Sequence, residues 1–319
     1  AAADRFLEQA FRVRPGEVKR AGLMALYSLN AVGAIVVGRS VRDALYLAHR
    51  PIAELPAMYI ASSFAVAGVA YAYSRVADRF RRAQLNAVSA GLWAAALLIF
   101  RLAVAYGPGL VYPVLYVAVE AMGALVIIQF WTLASDLFHA REAKRLFGLI
   151  ASGGTFANVL FGFAVGRLAR VVGTDNLLVL CAANLGACAA LALRAGRAAV
   201  GPRFKRRLSV ASEGRGVFAS RHLLVVASIA VLCAAAVTIV DFQFKAAAGA
   251  RYGKDALAGF FGSFYGFCGF AALAVQMGLT GRILERFGIL ASLMPLPFGL
   301  ILGSLASVAA PGLWSASVA

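Results

Sequence analysis

The chain has 319 residues, of which 62% are hydrophobic and only 14% charged, about half the charged fraction of a soluble globular domain. A net charge of +17 would suit nucleic acid, but the Lys and Arg residues follow the loops of a membrane protein, which argues against that partner. The apolar stretches are long and rich in Leu, Val, Ala and Gly, without period-2 alternation, so the expected fold class is all-α: a polytopic protein of membrane-spanning helices and not of barrel strands.

Residues 4–13 place Phe6, Leu7, Ala10 and Phe11 on one side. That pattern suits a short helix on the inner membrane surface before Pro15, or a helix docked on a cytosolic partner. The segment is charged where a cleavable signal would be apolar. With no initiator Met, the chain reads as a piece of something longer.

Hydropathy places a first span at about Ala21 to Leu47, a second at Leu55 to Tyr73, a third at Gln84 to Tyr106 and a fourth at Leu110 to Leu137. The fifth is expected from Leu146 to Gly166, after a basic elbow at 138–145, and the sixth from Asn176 to Leu193. Residues 194–221, with eight basic residues, read as a central cytoplasmic linker. Spans seven to nine follow at about Leu223 to Phe244, Ala256 to Leu279 and Ile289 to Ala309, and a tenth starts after Pro311. The expected domains are therefore an N-terminal six-helix half at 1–193, the linker at 194–221, and an incomplete C-terminal half at 222–319. With the N-terminus in the cytoplasm, the tail and the loops on that side hold 22 of the 31 Lys and Arg residues and the opposite loops six. This asymmetry sets the orientation, and it makes anionic lipid headgroups partners of the cytoplasmic face.

Charged residues inside the spans carry the functional signal, because an ionised group in hydrocarbon needs a cation, an anion or a wet cavity. In the first span Arg39, Arg42 and Asp43 crowd one helical face with Ser28, Val32, Ile35 and Tyr46. Two readings are open: the planar guanidinium forks take a phosphate or carboxylate, or both arginines snorkel to the headgroups. In the fourth span Tyr116, Glu120, Gly123, Ile127 and Trp131 form one stripe at helical spacing, with Val126 and Phe130 pointing elsewhere. That stripe reads as cavity-facing, with Glu120 either functional or a structural ion-pair partner. Asp241 and Lys245 stand i, i+4 at the equivalent end of the seventh span, either a plain helix-end pair or part of a shared site.

In the fifth span Gly154, Asn158, Gly162 and Gly166 make a small-residue ridge for close helix packing. Cys181, Cys188, Cys233 and Cys268 lie within apolar helices and read as buried thiols. His49, His139 and His222 are too scattered for a metal cluster. No nucleotide-loop, zinc-protease or hydrolase signature is present, so neither an enzyme nor a cofactor is expected.

The loop SRVADRF at 74–80 and GRILERFG at 281–288 recur six spans apart, which implies two halves of six helices with substrate bound between them near the midplane. Both loops resemble the G-x-L-x-D-R-x-G signature of the major facilitator superfamily, with Ser74 in place of the first Gly. The resemblance implies that Asp78, Arg79, Glu285 and Arg286 form a conformational latch between inner helix ends. It also implies a twelve-helix plan of which nine spans are present here.

Over nearly the whole chain, a second resemblance is to the nucleotide transporters of plastids and intracellular bacteria typified by ATP/ADP carriers. The residues that carry it are RPGE at 14–17, GRSVRDAL at 38–45, Glu120 followed by FWTLASDLF at 130–138, REAKRLFG at 141–148 and VDFQFK at 240–245. In that family an acid and a Lys or Arg of helix one, a Glu of helix four and an acid of helix seven serve nucleotide transport. Those positions become Arg42, Asp43, Glu120 and Asp241 here, with Arg42 where Lys is usual, Asp241 where Glu is usual, and Ser135 where Asn is common. The resemblance implies a secondary transporter of the bacterial inner membrane that binds ATP and ADP or a similar phosphorylated anion and works as an antiporter by alternating access. Its expected substrate-binding residues are Arg39, Arg42, Asp43, Tyr46, Glu120, Trp131, Asp241 and Lys245, with Tyr46 and Trp131 placed to stack on a base. Two other classes stay open: a proton-coupled carrier of another small solute, and a non-transporting sensor with a fused or associated cytosolic regulatory domain.

The charge asymmetry gives a direct test of orientation. In a cysteine-free background, Lys205→Cys should resist an impermeant thiol reagent applied to intact cells and react once the membrane is opened. Labelling from outside would overturn the topology.

Overall fold

The computed structural model describes residues 17–107, 109–197, 221–278 and 298–299. Among them every regular element is helical. Eight helices are long and apolar enough to cross a membrane: α1 (Val18–His49), α2 (Leu55–Val76), α3 (Arg82–Tyr106), α4 (Val111–Leu137), α5 (Ala140–Val172), α6 (Leu177–Arg197), α7 (Arg221–Gly249) and α8 (Lys254–Gly278). The chain is an integral membrane protein. The first eight expected spans are all present; the N-terminal amphipathic segment, most of the linker, the ninth and tenth spans and the Glu285 and Arg286 loop lie outside the described residues.

Local chemistry sets the helix ends. Pro56 begins α2, where its missing N–H is harmless. Gly107, at φ 70°, closes α3 in the left-handed conformation that needs no Cβ. The largest departure from hydropathy is at the fourth connection. A basic elbow was expected over 138–145, but α5 starts at Ala140 and runs for 33 residues, leaving only Phe138 and His139 between helices. The cause is a capping box: His139 stands at the N-cap, and Glu142 returns to accept the His139 backbone N–H at 3.1 Å. At 1.5 Å per residue such a helix is about 50 Å long, well beyond the roughly 30 Å hydrocarbon layer, so its charged first turns stand clear of lipid.

Packing gathers α1 to α6 and α8 into one unit and α7 into another. Within the first unit α1 is central, touching α4, α5 and α6, while α3 packs on α6 and α4, and α2 on α4. The large exposed apolar side chains of α2 and α3, such as Ile60, Phe64, Leu92 and Ile99, are what lipid-facing surface requires. Polar bonds tie the helices where packing alone is weak in lipid: Asn86 Nδ2 donates to the Gln129 carbonyl at 2.9 Å, and the Tyr73 and Thr132 hydroxyls meet at 2.9 Å. Cys181 and Cys188 are buried as expected, and Cys181 Sγ donates to the Ala34 carbonyl at 3.1 Å. Cys268 corrects that expectation, because it stands on an exposed face of α8.

The small-residue ridge of α5 has two customers. Gly154 lies against Ser28 and Val32 of α1, while Gly162 and Gly166 lie against Gly259, Gly262, Ser263 and Gly266 of α8. A Cβ at Gly162 would collide with the Gly266 backbone. At the α8 start, Asp255 Oδ1 accepts from the Thr174 N–H at 2.9 Å and from its hydroxyl at 2.7 Å, and Lys254 Nζ reaches Asp175 at 2.8 Å. Thus α8, expected in the second half, packs with the first six helices.

This predicts that Gly162→Leu costs about 1–3 kcal/mol by overpacking and lowers the melting temperature in detergent by several degrees. Gly91→Leu on α3, where an added Cβ meets nothing, should leave it unchanged. Equal melting of both variants would contradict the α5 to α8 contact.

Candidate functional site

Helices α1 and α4 run antiparallel, and their register brings positions 39, 42, 43 and 46 of the first against 116 and 120 of the second. Arg42 is the centre of the resulting cluster. Its side chain is 4% exposed, its Nε donates to Asp43 Oδ1 at 2.9 Å, and its Nη1 donates to Glu120 Oε2. The guanidinium carbon stands 4.2 Å from the Tyr116 ring centroid, a cation–π stack in a desolvated setting. Tyr46 meets Tyr116 edge-on at 5.1 Å, and Tyr59 of α2 does so at 6.5 Å. A buried guanidinium is tolerable here because two carboxylates and a ring face share its charge.

Arg39 is placed differently. Its side chain is 46% exposed, and its Nη2 lies 3.2 Å from Glu120 Oε1. Glu120, 28% exposed, therefore bridges one buried and one open arginine, an oxygen to each. Of the two readings open for the arginines, snorkelling fails for Arg42, whose charge is bonded inside the helix bundle. The four formal charges of Arg39, Arg42, Asp43 and Glu120 cancel. An incoming anion would meet Arg39 first and would have to compete with Glu120 for it.

The expected stripe on α4 is partly corrected. Tyr116 and Gly123 are buried, the first beneath Arg42 and Tyr46 and the second against Ile35. The face left open runs through Glu120, Ala124, Ile127 and Trp131. Phe130, expected to point elsewhere, packs edge-on to Trp131 at 5.1 Å and lines a cavity of about 170 Å³ with it, between α1, α4 and α5. Trp131 itself is eleven residues from Glu120, about 16 Å along the helix, and is not part of the arginine cluster.

Asp241 and Lys245 form their own pair on α7, Nζ to Oδ2 at 2.7 Å, in the second unit. At the opposite helix ends, Asp78 is 86% exposed and lies 3.6 Å from Arg82. Arg82 reaches Asp136 of α4 at 2.8 Å, while among the described residues Arg79 makes no ion pair. The interhelical bond at this loop thus runs through Arg82 and Asp136, which sequence reasoning did not single out. Arg20 of α1 is another such residue: it donates to the Leu137 carbonyl at 3.4 Å, contacts Glu142 at 3.5 Å and stands over the Phe138 ring. The signal for both was present, an arginine just inside a helix start with an acid at a neighbouring helix end.

This geometry predicts that Arg42→Ala, which leaves two acids facing each other in a buried site, destabilises by about 3–5 kcal/mol. Arg39→Ala, at the open position, should cost under about 1 kcal/mol. Thermal unfolding of the purified protein checks the difference, and equal losses would contradict the buried and open assignment.

No curated protein and no solved structure matches the chain. Residues 83–187 do match a known family; they cover about a third of the chain, from α3 into α6, and include Glu120, Phe130 and Trp131 but not the arginines of α1 or the α7 pair. Over that stretch the chain matches the family described as the TLC ATP/ADP transporter.

Proposed function

We propose that this protein is a secondary transporter that exchanges nucleotides, or closely similar phosphorylated anions, across a bacterial inner membrane with its N-terminus in the cytoplasm. The observation that carries the reading is the Arg39, Glu120 and Arg42 bridge on the face of α1 and α4, beside the family match of the segment that supplies Glu120.

The mechanism follows from competition for cations. A phosphate presents several acceptor oxygens and suits the planar guanidinium fork. Binding at the exposed Arg39 releases one oxygen of Glu120, whose second oxygen stays on Arg42. Without substrate Glu120 closes the bridge again, so the empty carrier has no bare buried charge. The closed Glu120 bridge holds the empty carrier in place, the site changes its opening with substrate bound, and exchange follows because the return step needs substrate. Asp43 holds Arg42 in place throughout. Asp241 and Lys245 are a second acid and cation pair for substrate within α7 itself, and Asp78 with Arg79 would act at the inner ends through the turn that presents Arg82.

Full-length protein in liposomes should take up labelled ATP or ADP when nucleotide is loaded inside and much less when it is not. No uptake of any phosphorylated compound by folded, correctly oriented protein would overturn the proposal. Two substitutions separate the roles within the bridge. Arg39→Lys loses the planar fork offered to the phosphate, so nucleotide affinity should fall about tenfold, the size of one charge-assisted bond. Glu120→Gln should insert and fold, because Asp43 and Tyr116 still hold Arg42; it should bind nucleotide at least as tightly as the native protein and lose most of its turnover. Were Glu120 only a structural counter-charge, that variant would instead melt early with native turnover in whatever remained folded.

A further inference from the structure

The cavity between α1, α4 and α5 is not explained by the arginine bridge. It measures about 170 Å³ and is lined by Phe130 and Trp131, by aliphatic groups that include Val32 and Ile127, and by one hydroxyl, that of Ser28. Gly154 makes the room: a Cβ there would sit 3.0 Å from both Ser28 Oγ and Val32 Cγ2. The volume is of the order that accepts a benzene-sized ring or somewhat more in other proteins, and half-exposed Ile127 and Trp131 leave one side open.

Two open strips lead from this cavity to the arginines. On α1 the part-exposed positions are Val32, Ile35 and Arg39; on α4 they are Ile127, Ala124 and Glu120. Both cover seven residues, about 10 Å of helix axis, and Trp131 extends the α4 strip to about 16 Å from Glu120. A single ligand lying along this face would place an anionic end at Arg39 and a flat apolar end against Trp131. The separation suits an extended nucleoside triphosphate and is too long for inorganic phosphate or a small sugar phosphate.

Resting on the proposed function, we infer that this cavity is the base subsite, and that it holds the nucleobase by stacking on Trp131 instead of reading its edge. The lining supports that limit: a single hydroxyl cannot match the distinct donor and acceptor patterns of different bases, whereas every base has a π-face. The carrier therefore distinguishes nucleotides from bare phosphates strongly and one purine from another weakly. Phe130 acts through Trp131, its edge-on neighbour; Phe147 supports the opposite side at 5.4 Å.

Calorimetric titration of full-length protein in nanodiscs with ATP, GTP and inorganic tripolyphosphate tests this. Native protein should bind ATP about tenfold or more tighter than tripolyphosphate, the worth of one base stack, with GTP within about threefold of ATP. Trp131→Ala should bring ATP down to the tripolyphosphate level without moving tripolyphosphate, and Trp131→Phe should recover most of the loss. Val32→Phe, which fills the cavity from α1, should mimic Trp131→Ala and guards against a folding artefact in any one variant. ATP affinity unmoved by these substitutions, or ATP and tripolyphosphate weakened together, would overturn the base subsite. Native protein that binds tripolyphosphate as tightly as ATP would overturn it while leaving the phosphate site standing, and native protein that binds neither would overturn both.

Discussion

The first unit depends on keeping one guanidinium satisfied away from water. Arg42 sits where solvation is lost, and its charge is returned by Asp43 on one side, Glu120 on another and the Tyr116 ring beneath. Unpaired, such a charge would cost several kcal/mol. The need to pair it fixes the α1 and α4 register. Once Arg42 meets Glu120, Ile35 must lie on Gly123 and Val32 opposite Ile127, and the cavity opens one long step further along. The electrostatic requirement and the apolar cavity are two consequences of one antiparallel helix pair.

The contrast between the two arginines turns a structural cluster into a responsive one. Arg42 is committed, with three partners and almost no exposure, whereas Arg39 has Glu120 and solvent. A group with one replaceable partner is where an anion can enter at low cost, since the ligand substitutes one carboxylate for another acceptor. Close helix contacts support this face from behind. Gly153 and Gly154 let α5 approach α1, and Gly162 and Gly166 let α8 approach α5, so the helices behind the site form a packed set.

Much of this was legible in the chain. Hydropathy locates the described helices because a span must be long and apolar, and the cost of burying charge singles out Arg42, Asp43 and Glu120 in the sequence. What one-dimensional reasoning lost was rotation and pairing. A stripe drawn at 3.6 residues per turn put Tyr116 and Gly123 in the open, yet a neighbouring helix covers both; only packing shows which edge of a stripe is free. Hydropathy also ended the fourth connection too late, since charged turns of α5 look like loop although a capping box makes them helix. Arg82 with Asp136, and Arg20 with Glu142, are harder to pair for a related reason: each carries the mark of a charge at a helix end, but only the fold shows which acid meets which arginine. The cavity has no local signature at all, being made by a glycine on one helix and aromatic rings on another.

In the proposed cycle substrate and Glu120 compete for Arg39. Infrared difference spectroscopy of carboxylate bands in the full-length protein, recorded as ATP is added and compared with Glu120→Gln, reads that competition at the carboxylate itself. A carboxylate band should shift on nucleotide binding, and the shift should disappear in the Glu120→Gln protein. Saturating nucleotide that leaves the Glu120 band where it stands in the empty protein would contradict it.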